Sequence, residues 1–83
     1  MKTLRLYGRP GCGLCEDMEE ALYERFSGRF RMDWRDIDRD PVLRRRYGDR
    51  IPLLCSEKGE VLSVGTLDTD RLSAWLDAPR ASV

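Results

Sequence analysis

The chain has 83 residues, of which 41% are hydrophobic and 36% charged, and its 15 basic side chains balance its 15 acidic ones. This length makes one small domain, and the balanced charge creates no field that would favour nucleic acid or an anionic membrane. The chain has no His, which excludes Ser/His and Cys/His catalytic pairs and every histidine-ligated metal site. Its three cysteines are too few, and odd in number, for a secreted disulfide scaffold.

The first residues and the apolar runs bear on where the protein works. Residues 1–5 lack the apolar h-region of a Sec-type signal peptide, and no apolar run approaches the length of a membrane span. We therefore expect a cytoplasmic protein that binds neither membranes nor nucleic acid. We also expect a monomer, with one domain over residues 1–79 and a loose tail at residues 80–83.

Hydrophobic periodicity predicts a strand, a helix and a second strand in the first half of the chain. Residues 3–7 alternate apolar with polar side chains, as in a half-buried strand. Between residues 14 and 26 an apolar side chain recurs every fourth position, which predicts an amphipathic helix that ends near Gly28. Residues 30–35 alternate again and predict a strand that continues towards Ile37. The apolar positions of this strand are Phe30, Met32 and Trp34.

The second half begins with a short helix and a hairpin. Asp40 followed by Pro41 is typical of a helix start, with Asp at the N-cap and Pro at the first helical position. Gly48 is expected to end that helix. Residues 53–55 and 60–64 predict the two strands of a hairpin.

A last helix completes the chain, with Asp68 at its N-cap and Pro79 after its end. The element order is therefore β-α-β-α-β-β-α. The first two strands should be parallel with a right-handed crossover, and the last two antiparallel. We expect an α/β fold in which one four-stranded mixed sheet is flanked by three helices.

Two cysteines at C-x-x-C spacing follow the first strand, where a turn rich in Gly and Pro opens the first helix. A cysteine in the first turn of a helix faces unpaired backbone N–H groups and the positive end of the helix dipole, which favour its thiolate. A cysteine three residues later lies on the same face and can attack a mixed disulfide formed at the first. We therefore predict Cys12 as the nucleophile and Cys15 as the resolving thiol.

The segment from Leu6 to Cys15, the Ile51-Pro52 pair before the third strand and the element order together resemble the thioredoxin fold. Within that fold the chain resembles the short bacterial glutaredoxin-like proteins, from Leu4 to about Leu76. The resemblance implies a small dithiol thiol–disulfide oxidoreductase that requires no cofactor beyond its cysteines. It also implies a protein or low-molecular-weight disulfide as substrate, and glutathione or a thioredoxin-reductase-type enzyme as reductant.

The resemblance also implies roles for single residues. Cys12 matches the exposed nucleophile, Cys15 the partly buried resolving thiol, and Pro52 the cis-proline that packs against them. The backbone of Ile51 matches the segment that pairs with an extended substrate or with glutathione. The other residues expected at the substrate site are Tyr7, Arg9, Pro10, Gly11, Gly13, Leu14, Gly65, Thr66 and Asp68.

Part of this site differs from the pattern of the family. Arg9-Pro10 matches a Lys-Pro pair whose basic residue stabilises the thiolate and meets a glutathione carboxylate, and Asp68 lies close to the acidic position. However, Gly13-Leu14 stands where glutaredoxins usually have Pro and an aromatic residue. The paired glycines that hold the γ-glutamyl end of glutathione are reduced to Gly65-Thr66. These differences weaken the expectation of glutathione binding and leave dithiol chemistry unaffected.

Other functions remain open for the same cysteines. A zinc site requires four ligands, so three cysteines would need a carboxylate or a second chain to complete it. An iron–sulfur cluster shared between two chains through Cys12 and glutathione is known for some glutaredoxins. A thioredoxin-fold adaptor would use its groove to dock a partner without dithiol turnover.

Five side chains outside the motif have expected places. Cys55, in the third strand, should be a small core residue rather than a third redox thiol. Trp34 and Trp75 lie on apolar stripes and should be in the core. Tyr7 ends the first strand beside the cysteines and is a candidate for the substrate groove. Arg5 falls on a face that a central strand would bury, and its charged end should snorkel to solvent.

Overall fold

The structure, a computed structural model, describes residues 1–79. The predicted element order is confirmed, with one addition, a 3₁₀ turn between the second strand and the second helix. The tail predicted at residues 80–83 lies outside the described residues. The elements are β1 (Lys2–Gly8), α1 (Gly13–Phe26), β2 (Phe30–Asp36), the 3₁₀ turn (Ile37–Arg39), α2 (Pro41–Tyr47), β3 (Leu53–Ser56), β4 (Val61–Val64) and α3 (Thr69–Asp77).

The strands form the predicted mixed sheet, in the order β2-β1-β3-β4. β1 and β2 are parallel, and α1 supplies the crossover that a parallel pair requires. β3 is antiparallel to both β1 and β4. The carboxyl ends of β1 and β2 therefore lie at the same end of the sheet as the beginning of β3. The C-x-x-C loop lies at that end of the sheet.

Two of the helices share one face of the sheet and bury most of the core there. Alternate residues of β1 point to this face, where they contact the apolar stripe of α1 and the buried side of α3. The buried members of this core are Leu4, Leu6, Met18, Leu22, Phe26, Phe30, Leu54, Leu62 and Leu72. Trp75 packs against them while partly buried, close to its expected place. The other face of the sheet is contacted by α2.

The helices begin at the side-chain caps that the sequence predicts. Asp40 accepts a hydrogen bond from the backbone N–H of Val42 at 2.9 Å, and Pro41 is the first residue of α2. Asp68 accepts one from the N–H of Arg71 at 3.0 Å and caps α3. Each bond satisfies a donor that a helix leaves unpaired at its first turn.

The core position expected for Trp34 is wrong, because β2 is an edge strand. Its side chains have a neighbouring strand on one side only, and Trp34 remains 40% exposed. Phe30, at the other end of the strand, is buried. Alternation along the sequence predicts which residues share a face, and it does not predict how far the helices cover that face.

Arg5 has an acidic partner in addition to the expected path to solvent, since its side chain is 26% exposed. The β1–β2 register puts Arg5 directly opposite Asp33, and its Nε donates to Asp33 Oδ2 at 2.9 Å. Arg35 Nε donates to the other oxygen at 3.0 Å. The hydrogen bonds from Arg35 and Arg5 hold the pKa of Asp33 below its usual value. Asp33 of the edge strand β2 thus balances the charge of Arg5 in the inner strand β1.

We predict that Leu22→Ala lowers the free energy of unfolding by about 2–5 kcal/mol, because Leu22 is fully buried and truncation leaves a cavity. Leu14→Ala is the matched control, since Leu14 lies on the same helix and is exposed; it should change stability by less than about 0.5 kcal/mol. Urea denaturation measures both. Equal effects would contradict the arrangement of α1 on the sheet.

We predict that Asp33→Asn destabilises the protein at neutral pH, by up to about 1 kcal/mol for a partly exposed pair. Because the folded-state pKa of Asp33 is depressed, its contribution is complete above the unfolded pKa and is lost as the pH falls through the folded pKa. The difference between wild type and variant should therefore shrink as the pH is lowered below about 4. Asp49→Asn, at an exposed loop residue, is the control for the loss of one carboxylate and should change the stability at neutral pH by less than about 0.5 kcal/mol.

Candidate active site

A tight loop carries the chain from β1 into α1. Gly11 has a φ of +79°, a left-handed conformation that glycine adopts without strain. The N–H of Cys12 donates to the carbonyl of Arg9 at 3.3 Å and closes the turn. The loop thus places Cys12 at the N-cap of α1, one residue before the helix begins.

The two cysteines at this helix start differ in their exposure. Cys12 is partly exposed, and its Sγ accepts a hydrogen bond from the backbone N–H of Cys15 at 3.2 Å. Cys15, on the buried face of α1, is 1% exposed. The two sulfurs form a disulfide, with the Cα atoms 5.2 Å apart. The predicted roles of nucleophile and resolving thiol require such an asymmetry, and the roles themselves stay a prediction.

The Ile51-Pro52 segment lies at the same end of the sheet as the cysteines. Leu53 is opposite Tyr7, in the last pair of β1 and β3. Pro52, one residue before Leu53 in the chain, therefore lies next to the end of β1. The peptide bond between Ile51 and Pro52 is cis. Pro52 is buried, whereas Ile51 is partly exposed and precedes the paired residues of β3. The backbone of Ile51 therefore lies outside the strand ladder.

The loop after β4 is connected to the same segment. The N–H of Gly65 donates to the carbonyl of Pro52 at 2.8 Å, and the φ of Gly65 is +78°. Thr66 follows as an exposed residue. Asp68 is exposed as well, although its carboxylate caps α3 and its N–H donates to Ser63 Oγ at 2.9 Å. Gly65 therefore adjoins the candidate site through Pro52, and Asp68 has a structural task of its own.

Four predicted site residues surround the cysteines as an exposed rim. Leu14, between them, is 55% exposed although it falls on the periodic apolar stripe of α1. The buried position in the first turn is taken by Cys15 instead. The other three exposed residues are Pro10, Gly11 and Gly13.

Arg9 is engaged by a neighbouring carboxylate. Its Nη2 lies 3.3 Å from Asp38 Oδ1, in the 3₁₀ turn that the sequence did not predict. The contact ties the cysteine loop to the segment after β2. A role of Arg9 towards the Cys12 thiolate or a glutathione carboxylate stays a prediction, with Asp38 as a competing partner.

Tyr7 points to the sheet face opposite to the one that holds the cysteine pair. Its ring packs against Tyr47 of α2, with the centroids 4.6 Å apart. The neighbouring Gly8 faces α1, since successive strand residues alternate. The proposed place of Tyr7 in a substrate groove stays a prediction, and it would require a substrate that reaches past the end of β1.

Gly8 and Trp34 border the resolving cysteine, and sequence reasoning missed both. A Cβ added to Gly8 would lie 2.8 Å from Cys15 Sγ and 2.8 Å from Cη2 of Trp34. The end of β1 can therefore approach α1 and the indole this closely only without a side chain. The contact follows from the register of the parallel pair, in which Leu6 and Trp34 are opposite each other and Gly8 follows two residues later, and the sequence alone does not give that register.

Cys55 is the third cysteine and lies away from the pair. It is buried in β3 as a free thiol, where burial raises its pKa. Its expected place in the core is confirmed. Within residues 1–79, no three or more Cys, Asp or Glu side chains cluster in a way that could hold a metal ion.

Comparison with known proteins identifies the family. Residues 3–77 match the model of the Glutaredoxin-like domain (DUF836), which is most of the chain. The chain belongs to the glutaredoxin-like domain family. The predicted resemblance is therefore confirmed at the level of the family.

Two solved structures are similar to this glutaredoxin-like chain. Protein Ne2328 from Nitrosomonas europaea, determined by solution NMR, is 33% identical; the match covers 89% of each chain with a TM-score of 0.72. Protein XcR50 from X. campestris, determined by X-ray analysis, is 40% identical, with 92% of this chain and 99% of that chain covered and a TM-score of 0.70. These likenesses confirm the thioredoxin-like fold.

No curated protein matches the chain. Among residues 1–79, no helix is both long and apolar enough to cross a membrane.

We predict that Cys12 reacts first when the reduced, folded protein is treated with iodoacetamide, because Cys15 and Cys55 are buried. Peptide mass spectrometry over a time course measures the order of modification. In denaturant the three cysteines should react at similar rates, which is the control. If Cys55 reacted as fast as Cys12 in the folded protein, its burial in β3 would be contradicted.

Proposed function

We propose that this glutaredoxin-like protein is a small dithiol thiol–disulfide oxidoreductase. The observation that carries the proposal is the asymmetry of the pair at the start of α1: Cys12 is partly exposed at the N-cap, and Cys15 is buried one turn later. A substrate disulfide can reach the first sulfur, and the second is held within bonding distance of the first.

The helix start favours the chemistry expected of Cys12. Backbone N–H groups of the first turn are unpaired within the helix, and the positive end of the helix dipole lies there. One of them, the N–H of Cys15, already donates to Cys12 Sγ. A sulfur at the N-cap is thereby favoured as thiolate, which is the nucleophilic form.

The proposed reaction has two exchange steps. The Cys12 thiolate attacks one sulfur of a substrate disulfide, forming a mixed disulfide and releasing the other substrate sulfur as a thiolate, which takes up a proton. The Cys15 thiol then loses its proton and attacks Cys12 Sγ, which releases the second substrate thiolate. The substrate gains two electrons and two protons, and the protein is left with the Cys12–Cys15 disulfide.

The surroundings of the pair support an extended substrate. The backbone of Ile51 precedes the paired part of β3, so its N–H and carbonyl lie outside that pairing and can pair with an extended substrate at this end of the sheet. The exposed rim around Cys12, including Leu14, would lie against such a substrate. We propose a protein disulfide or a low-molecular-weight disulfide as substrate, bound without a cofactor.

The cycle requires an external reductant for the Cys12–Cys15 disulfide. We propose glutathione or a thioredoxin-reductase-type enzyme, acting on a monomer in the cytoplasm, where thiols are kept reduced. The residues proposed for glutathione are Arg9, Gly65, Thr66 and Asp68. The ion pair of Arg9 with Asp38 and the capping role of Asp68 reduce what these two side chains can offer a glutathione molecule.

We predict that Cys12→Ser abolishes disulfide reduction, because the accessible nucleophile is removed. Cys15→Ser should leave the first step intact and accumulate a mixed disulfide at Cys12, since nothing resolves it. Reduction of a model protein disulfide, followed by mass spectrometry of the adducts, measures both outcomes. Cys55→Ser is the matched control and should retain activity, because Cys55 is buried in β3.

Three outcomes would contradict the proposal. Mixed disulfides that form at Cys15 when Cys12 is absent would reverse the roles of the two cysteines. Partner binding that survives Cys12→Ser, without any exchange by the wild type, would point to an adaptor module instead. A visible chromophore in the purified protein would point to an iron–sulfur carrier.

A further inference from the structure

We propose that Trp34 is a positioning residue of the redox pair: its indole covers the Gly8 side of Cys15 and leaves Cys12 as the accessible sulfur. The inference rests on the proposed function only in the roles given to the two cysteines. Trp34 belongs to β2 and lies outside the cysteine loop, the Ile51-Pro52 segment and the loop after β4.

The position of the ring follows from the strand register. Trp34 is opposite Leu6 in the parallel pair of β1 and β2, so its Cβ points to the face of the sheet that holds α1. Its benzo edge extends along the sheet to Gly8, where a Cβ would be 2.8 Å from Trp34 Cη2 and 3.0 Å from Cζ3. The missing side chain of Gly8 provides the space for the ring edge.

The position that a Cβ on Gly8 would occupy also borders the sulfur of Cys15. A Cβ on Gly8 would also be 2.8 Å from Cys15 Sγ, so the sulfur and the indole edge are less than twice that distance apart. Sulfur next to an aromatic ring at about 5 Å is a favourable contact. Trp34 is 40% exposed and Cys15 is 1% exposed, so the indole meets solvent while the neighbouring sulfur does not.

The chemical consequence is a difference in access between the two sulfurs. Thiol–disulfide exchange depends on which sulfur can be reached by the attacking thiolate. With the indole in place, an incoming thiol or disulfide meets Cys12, and Cys15 reacts only with the sulfur that is already bonded or held beside it. Without the indole, Cys15 becomes open to attack from the β2 side.

The benzo ring of the indole, which lies farthest from the backbone of β2, is the part that reaches Gly8. The variants are chosen for this reason. Cη2 and Cζ3 belong to the benzo ring, so Trp34→Phe keeps an aromatic residue on the strand and shortens it beyond reach of Gly8. Trp34→Ala removes the ring altogether. Trp75→Phe is the matched control, because Trp75 packs against the core from α3 and is the other tryptophan of the chain.

The test uses the full chain with Cys12→Ser, in which Cys15 and Cys55 are the remaining thiols. The folded variants are treated with iodoacetamide, and the rate at each cysteine is measured by peptide mass spectrometry. Trp34→Ala should raise the rate at Cys15 by about tenfold or more, and Trp34→Phe by a smaller factor, because reactivity follows access. The rate at Cys55 should stay unchanged in both, and Trp75→Phe should change neither rate.

The alkylation rate at Cys55 distinguishes the loss of shielding at Cys15 from a general loosening of the fold. A rise at Cys15 alone supports the proposal, whereas an equal rise at both cysteines, or no rise at Cys15, overturns it. The assay needs no turnover. If the wild type showed no disulfide exchange, the proposed oxidoreductase activity would be refuted. A selective rise of the Cys15 rate in Trp34→Ala would still support the shielding role of Trp34.

Discussion

The structure of the site depends on the close approach of the end of β1 to the start of α1. Gly8 makes this approach possible, because a single methyl group at this position would collide with Cys15 Sγ and with the ring of Trp34. Side chains in a packed interior tolerate such overlaps only by moving, at a cost of about 1–3 kcal/mol. The resolving cysteine and the indole therefore leave no room for a side chain at the end of β1.

Three chain segments distant in sequence are brought to this point by the sheet. The parallel β1–β2 pair aligns the cysteine loop with the end of β2, and the antiparallel β3 begins beside them at Pro52. A hydrogen bond from Gly65 to Pro52 adds the loop after β4. Residues from several elements can thus border the same pair of sulfurs, provided that they lie on the face that holds α1.

Most of the fold could be predicted from the sequence because the signals are local. The alternation of β1, the four-residue period of α1, and the caps at Asp40 and Asp68 depend on neighbours within a few residues, and the structure contains all of them. The C-x-x-C pair is equally local. Its placement at the N-cap follows from the Gly- and Pro-rich turn before it.

The features that escaped prediction depend on which strands are neighbours. Arg5 found its partner in Asp33 only because β2 lies next to β1 in parallel register, 28 positions later in the chain. Trp34 is exposed because β2 is an edge strand, and it meets Gly8 through the same pairing. The 3₁₀ turn that supplies Asp38 to Arg9 was likewise hidden, because the apolar pattern continued through Ile37.

The central claim is that Cys12 and Cys15 form a working dithiol couple. The most direct measurement is the redox midpoint of the pair, equilibrated with glutathione buffers and separately with dithiothreitol buffers. The account predicts a reversible two-electron midpoint between roughly −270 and −180 mV, the range that runs from thioredoxin through the glutaredoxins to protein disulfide isomerase. If no intramolecular disulfide forms at any potential, the oxidoreductase function is contradicted.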